Sequence, residues 1–201
     1  VNRIETALLK AEEKRWEDLD APRRGIKDRL GKILARTPDM SDQQTASAVY
    51  LLTVGRAPTD DEVARAKKQF AGGDFRPASV LQLARALGQG KEFNVKVAAA
   101  NAHVFKVQKA LAGETELDKL RQLNGAEFQK LTSEIAGSLA KGVKGDEQVI
   151  ELAYLLTLSR FPSSAESNRL LAYLKRGTDR PAATGDIFWA LMNSREFAIA
   201  P

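Results

Sequence analysis

The side chains that most often carry out reactions are scarce in this 201-residue chain, which has one histidine, His103, and no cysteine. A serine or cysteine triad needs an activating base, and a protein metal site needs several convergent ligands. His103 lies in an apolar helical stretch with no second histidine or cysteine to join it, so a helix residue making a local hydrogen bond is the expected reading. The absence of cysteine also removes disulfides, thiolate nucleophiles, zinc ribbons and covalent haem attachment, and it leaves the redox compartment open. Carboxylates could supply general acid and base in pairs, and Glu12-Glu13, Glu17-Asp18-Asp20 and Asp60-Asp61-Glu62 are available. Each has an ordinary explanation. The last trio occupies the first turn of an expected helix, where negative charge offsets the dipole, and the others alternate with Lys14, Arg15 and Arg23. There is no phosphate-binding glycine loop and no calcium-loop spacing. No catalytic residue, cofactor or metal ligand is therefore assigned, and a non-enzymatic protein is expected.

Charge offers a second kind of chemistry. The 31 Lys+Arg exceed the 26 Asp+Glu by only five, and both signs are mixed along the chain. The densest positive cluster is Arg23, Arg24, Lys27, Arg29, Lys32 and Arg36, interrupted by Asp28 and preceded by Asp20. A solvated helix face is the first reading; a patch for an anionic ligand or nucleic acid is the alternative. No stretch reaches the ~18 apolar residues that a membrane span requires. A start at Val1 rather than methionine fits removal of a signal peptide and fits trimming or tag removal equally.

The third candidate set comes from sliding the sequence against itself by 104 positions. Residues 41–93 then align with 145–197 without a gap, and roughly a third of the pairs are identical. Tyr50-Leu51-Leu52-Thr53 recurs as Tyr154-Leu155-Leu156-Thr157, and Arg56 with Pro58 as Arg160 with Pro162. Glu62 and Arg65 return as Glu166 and Arg169, Arg76-Pro77-Ala78 as Arg180-Pro181-Ala182, and Glu92-Phe93 as Glu196-Phe197. An ion-pair or carbonyl-capping role inside each unit is expected for the arginine and glutamate, the arginine holding a helical corner against the Glu-Phe segment.

These residues must be positioned by helices, since helix-period spacing dominates and no run of alternating β-branched residues stands out. Two amphipathic helices are expected first, one carrying Ile4, Leu8, Ala11, Trp16 and Leu19 on its apolar side, the next Ile26, Leu30, Ile33 and Leu34. In each repeat a helix bearing Tyr50 or Tyr154 must stop before Pro58 or Pro162. Thr59 with Glu62, and Ser163 with Glu166, have capping-box spacing and start a second helix. Gly73 or Gly177 breaks it, and Pro77 or Pro181 sits in the first turn of a third. The Glu-Phe pair is expected to begin a fourth, running to about Leu111 in the first copy. Between the copies, Leu117, Leu120, Leu123, Phe128, Leu131, Ile135 and Leu139 give two further amphipathic helices. The fold expectation is all-α: two tandem, diverged helical-bundle repeats, unit 1 over 1–100 with repeat core 41–93 and unit 2 over 101–201 with repeat core 145–197.

At the repeated positions the chain resembles the planctomycete-type C-terminal domain of unknown function, family 1553. Residues 153–162, Ala-Tyr-Leu-Leu-Thr-Leu-Ser-Arg-Phe-Pro, are similar to its Leu-rich Arg-x-Pro segment, and 186–197, Asp-Ile-Phe-Trp-Ala-Leu-Met-Asn-Ser-Arg-Glu-Phe, to its closing Asp-x-x-Trp-Ala-Leu-x-Asn-Ser-x-Glu-Phe. The first copy departs, with Arg85 for Trp189 and Gly88-Gln89-Gly90 for Met192-Asn193-Ser194. A shallower resemblance is to phycobilisome-linker-like and surface-layer helical modules, which combine Tyr-x-x-x-Leu-x-Arg-x-Pro with Ser-x-Glu-Phe. Both resemblances imply an interaction or structural module, and the first implies the periplasm or cell envelope; neither supplies catalytic residues. A protein partner, a second copy of the chain included, is therefore expected ahead of nucleic acid. The second copy is the more apolar, with Phe161, Leu170, Leu171, Tyr173, Phe188 and Trp189 where the first has Ala57, Ala66, Lys67, Gln69, Ala84 and Arg85. Tyr173, Phe188 and Trp189 are the candidate partner surface, with core or inter-unit contact as the competing reading.

Overall fold

The protein is all α-helical. The structure, a computed structural model, describes residues 3–73 and 75–199, and among these are twelve helices and no strand. They are α1 Arg3–Glu17, α2 Ala21–Arg36, α3 Asp42–Val54, α4 Asp60–Gly72, α5 Arg76–Gln89, α6 Val95–Leu111, α7 Glu116–Leu123, α8 Ala126–Gly142, α9 Asp146–Thr157, α10 Ser164–Arg176, α11 Arg180–Met192 and α12 Arg195–Ile199.

Local chemistry sets most of the boundaries. Asp20 caps α2 by accepting from the Arg23 backbone N–H, and Pro22 stands in its first turn. Full capping boxes open α3 (Ser41 with Gln44), α4 (Thr59 with Glu62) and α10 (Ser163 with Glu166). Such reciprocal bonds satisfy backbone donors that the first helical turn otherwise leaves unpaired. Pro77 and Pro181 lie in the first turns of α5 and α11, where the missing N–H costs no intrahelical bond.

Helices α3 and α9 are apolar nearly all round, and from Ala48 to Val54 and from Leu152 to Thr157 every residue is buried. Such helices belong in an interior, and these two pack on each other. Around them, α4 and α5 cover α3, while α10 and α11 cover α9. Helix α6 runs through the middle, against α2, α8, α3 and α9, and α8 lies along α11. The buried side chains form one continuous core that takes residues from both halves.

Three expectations change. The buried stripe of α1 is Leu9, Glu12 and Trp16; Ile4 and Ala11 are exposed, because α1 docks on α5 through a pair of ionic partners rather than a purely apolar stripe. Glu92 and Phe93 precede α6 instead of opening it: the Asn94 side chain accepts from the Lys96 and Val97 backbone N–H groups and so fixes the helix start one step later. Leu117 is exposed, whereas Leu123, Phe128, Ile135 and Leu139 are in the core; the Leu120 side chain lies outside what the structure describes. The line at 100/101 lies within α6, which ends at Leu111 as its spacing indicates.

Candidate functional site

The residues singled out by sequence spacing meet at two helical corners. At the end of α3, Gly55 takes a left-handed conformation (φ 76°), and at the end of α9 Ser159 does the same (φ 57°). These turns bring the following arginines back across the chain. Arg56 donates from Nη1 and Nη2 to both carboxylate oxygens of Glu62 at 2.7 Å, from Nη2 to Glu92 at 2.8 Å, and from Nη1 to the Ala57 carbonyl at 3.1 Å. Arg160 donates to both oxygens of Glu166 at 3.0 and 2.9 Å, to both oxygens of Glu196 at 2.8 and 2.9 Å, and to the Phe161 carbonyl at 3.0 Å. The guanidinium carbons lie 5.4 Å from the Tyr50 ring and 5.0 Å from the Tyr154 ring, within cation–π range.

The electrostatics follow from that geometry. The Arg56 guanidinium holds the Glu62 carboxyl down from 4.5 to about 2, and Arg160 does the same to Glu166, helped in each case by the capping N–H of Thr59 or Ser163. Glu196 is lowered by Arg160, and both arginines are held more firmly protonated by their carboxylates. Burial raises the Tyr50 phenol, and pushes that of Tyr154 up to about 12. Carboxylates this stabilised and this fully bonded are poor proton acceptors. What the cluster can do is fix an angle: each arginine ties the start of α4 or α10 to the segment bearing Glu92 or Glu196. Pro58 and Pro162 sit half-buried in the connecting turns; Phe197 is buried, and Phe93 is half-buried with the Arg23 guanidinium 4.2 Å from its ring centre.

A second pair of bridges was not among the expected site residues. Arg76 donates to Asp42 from Nε and Nη2 at 3.1 and 3.0 Å and to the Met40 carbonyl at 2.9 Å. Arg180 donates to Asp146 at 2.8 Å and to the Ala140 and Val143 carbonyls at 2.7 and 3.1 Å. Both arginines and both aspartates stand 104 apart, so the spacing itself carried the signal.

The basic cluster is dispersed. Arg23 pairs with Asp20 and donates to the Gly88 carbonyl at 2.7 Å, Arg24 donates to the Leu19 carbonyl, Lys27 lies 3.5 Å from Asp28, and Arg36 reaches Glu196 at 3.4 Å. Lys32 contacts Gln108, with its ammonium 5.6 Å from the Phe105 ring centre, and burial and then Arg29 lower its pKa. Arg29 is fully buried and cannot belong to a phosphate-facing surface, which corrects its inclusion in the patch. Its Nη1 donates to Ser159 Oγ at 3.1 Å and its Nε to Asn101 Oδ1 at 3.4 Å, and burial takes its pKa down to about 10. The signal available was its position, three residues after Ile26 and four before Ile33, inside the apolar stripe of α2.

Of the candidate partner surface, Phe188 is buried and is removed from it, because α11 turns that residue into the core. Tyr173 and Trp189 remain on the surface, 44% and 39% exposed. Trp189 borders a groove of about 560 Å³ between Gln129, Thr132 and Ser133 of α8 and Pro181, Ala182, Gly185 and Asp186 of α11. The Tyr173 hydroxyl donates to Asp186, which raises the phenol's pKa. A larger cleft, about 660 Å³, lies between Ser41, Gln43, Gln44 and Ser47 of α3 and Glu147 and Glu151 of α9. Burial, and then Glu147, raise the Glu151 pKa. The two glutamates stand one helical turn apart on one element, an arrangement that does not place an acid and a base on opposite sides of a substrate. His103 is exposed on α6. Among the described residues no group of three or more His, Asp or Glu side chains is placed to hold a metal ion. Among the described residues no helix is long and apolar enough to cross a membrane. In comparisons with family models, curated proteins and solved structures, nothing matches the chain.

Proposed function

We propose that the chain is a non-catalytic helical module that binds, or is built into, another protein assembly, and that it consists of two diverged copies of one unit set 104 residues apart. The observation that carries this reading is the arginine corner. The same donors reach the same acceptors twice, Arg56 to Glu62 and Glu92 and Arg160 to Glu166 and Glu196, so that these side chains satisfy one another, and Arg56 and Glu92 also border a cavity of about 450 Å³ beside Gly142 and Gln148. The bridges Arg76–Asp42 and Arg180–Asp146 repeat in the same register, as do the capping boxes at Thr59 and Ser163. On this reading the residues shared by the copies maintain architecture, and partner recognition belongs to surface where the copies differ. The resemblance to the planctomycete-type C-terminal domain agrees with that division and suggests the periplasm or cell envelope as the setting.

The exposed pair Tyr173 and Trp189 is the proposed contact surface. The double variant Tyr173→Ser, Trp189→Ser should keep the wild-type melting temperature and lose the complex that the wild type forms with envelope proteins. Retention of that complex by the double variant, or its replacement by DNA binding that weakens steeply with salt, would overturn the assignment.

A further inference from the structure

We infer that the groove between α8 and α11 seats an amphipathic helix of a partner protein, and that this helix places a lysine or arginine over the Trp189 ring beside Asp186. The inference rests on the duplication reading, because the first unit then indicates what covers the same face. There, α1 lies across α5 and α2. Beneath it Ala78 and Leu81 are buried, and Arg85 donates to Glu12, itself only 1% exposed, at 2.7 Å. The positions 104 further on are Ala182, Gly185 and Trp189, on the same face of α11. Ala182 and Trp189 are exposed, as is Pro181, the counterpart of half-buried Pro77; Gly185 is half-buried. The next helix in order that could fill the role of α1 is α7, and it packs on α12 instead. An α1-like seat is thus present in the second unit with its face open to solvent.

The chemistry of this seat is inverted relative to the first. Where α5 has Gln82 and Arg85, α11 has Asp186 and Trp189, and the groove is lined by two carboxylates, Asp179 and Asp186, with no lysine or arginine. In the first unit an arginine on the groove wall selects an acid on the bound helix. In the second, an aromatic face flanked by a carboxylate selects a cation. Tyr173 holds the Asp186 carboxylate from the far side through its hydroxyl. Ala182 and Gly185 present little side chain, so a helix backbone can approach closely, and a Cβ at Gly185 would meet only the Ala136 Cβ, at 3.6 Å.

The test uses the intact chain, in which α1 already occupies its own seat, and two fluorescein-labelled peptides of residues 1–20 carrying Trp16→Phe: one with Glu12 and one with Glu12→Lys. Fluorescence anisotropy should give at least ten-fold tighter binding for the Glu12→Lys peptide. Asp186→Lys and Trp189→Ser, which remove the carboxylate and the ring proposed to hold the cation, should each weaken that binding at least ten-fold in chains whose melting temperature is unchanged. Equal binding of both peptides, no binding by either, or binding that survives both substitutions overturns the inference. So does a dimer of the chain that Asp186→Lys dissociates while neither peptide binds, since a second copy would then be the occupant. Arg56→Ala and Arg160→Ala are melted in parallel. Loss of stability in only one of them sinks the duplication reading whatever the peptides do, and matched losses without peptide binding sink the inference alone.

Discussion

An arginine with two carboxylates on its fork is worth most where it joins segments that would otherwise separate, and Arg160 does so with five donated bonds. Arg160→Ala should cost about 2–3 kcal/mol, because Glu166 loses its cation while still partly buried and Glu196 keeps only the longer contact with Arg36, at 3.4 Å. Thermal melts would read this as a fall of several degrees, and an unchanged midpoint would remove the bracing role. The same bonds fix a pH dependence. Glu62 and Glu166 have folded pKa values of about 2 against 4.5, so the stability they contribute is present above 4.5 and is lost as pH falls from there through about 2. Each contributes about 1–2 kcal/mol after discounting for partial exposure, and Glu166→Gln should flatten its share of the acid slope. Ser159 sets two residue-scale effects against each other. Glycine there would relieve about 1 kcal/mol of left-handed strain, but it would remove the oxygen that accepts from buried Arg29, a bond to a charged donor worth about 1.5–3 kcal/mol. Ser159→Gly should therefore destabilise by about 1 kcal/mol, measured by denaturant midpoint, and a gain in stability would show that strain outweighs the bond.

At the scale of single elements, α1 separates what a sequence pattern can reveal from what it cannot. Its existence as a helix follows from spacing, but a stripe chosen by hydrophobicity alone runs through Ile4 and Ala11, while the buried stripe contains Glu12. That glutamate accepts from Arg15, three residues on, and from Arg85, 73 residues away, and no local rule contains the second partner. The consequence is measurable: Trp16→Ala should cost about 3–5 kcal/mol as a large core truncation, and Ile4→Ser should fall within about 0.5 kcal/mol of wild type. Comparable losses from the two changes would return the apolar face to the one first read from spacing. Capping boxes, first-turn prolines and the helix stops before Pro58 and Pro162 were legible because they are settled within about four residues. The start of α6 carried a local signal as well, because the Asn94 side chain accepts from the N–H groups two and three residues on; only its donation to the Gly142 carbonyl, 48 residues on, lies beyond local rules. The groove between α8 and α11 left no local mark, since it is a surface that no described residue covers.

For the whole molecule, the question is whether the two proposed units unfold as two bodies or one. Repetition of sequence suggests two. Three features argue for one: α3 and α9 bury their apolar sides against each other, α6 crosses the expected boundary without a break and packs on α2 and α8 together, and Arg29 from the first half donates to Ser159 in the second. Opening the halves would expose parts of a continuous core and leave a guanidinium that was desolvated for that contact without its acceptor. The pairing of α3 with α9 and of Arg29 with Ser159 could not be read in advance, because each joins residues about a hundred or more apart through burial rather than through a local motif. Cooperative loss of both units is the expected outcome, with one calorimetric transition and equal calorimetric and van't Hoff enthalpies. Its heat-capacity change should match exposure of the full chain, about 2.4–3.0 kcal/mol/K at ~12–15 cal/mol/K per residue. If the halves were separable, the van't Hoff enthalpy would be about half the calorimetric one, and Arg160→Ala would move only part of the transition. Under the single-body view the same substitution shifts the whole endotherm, including the part contributed by residues before Val95, and that shift is the measurement that distinguishes the two.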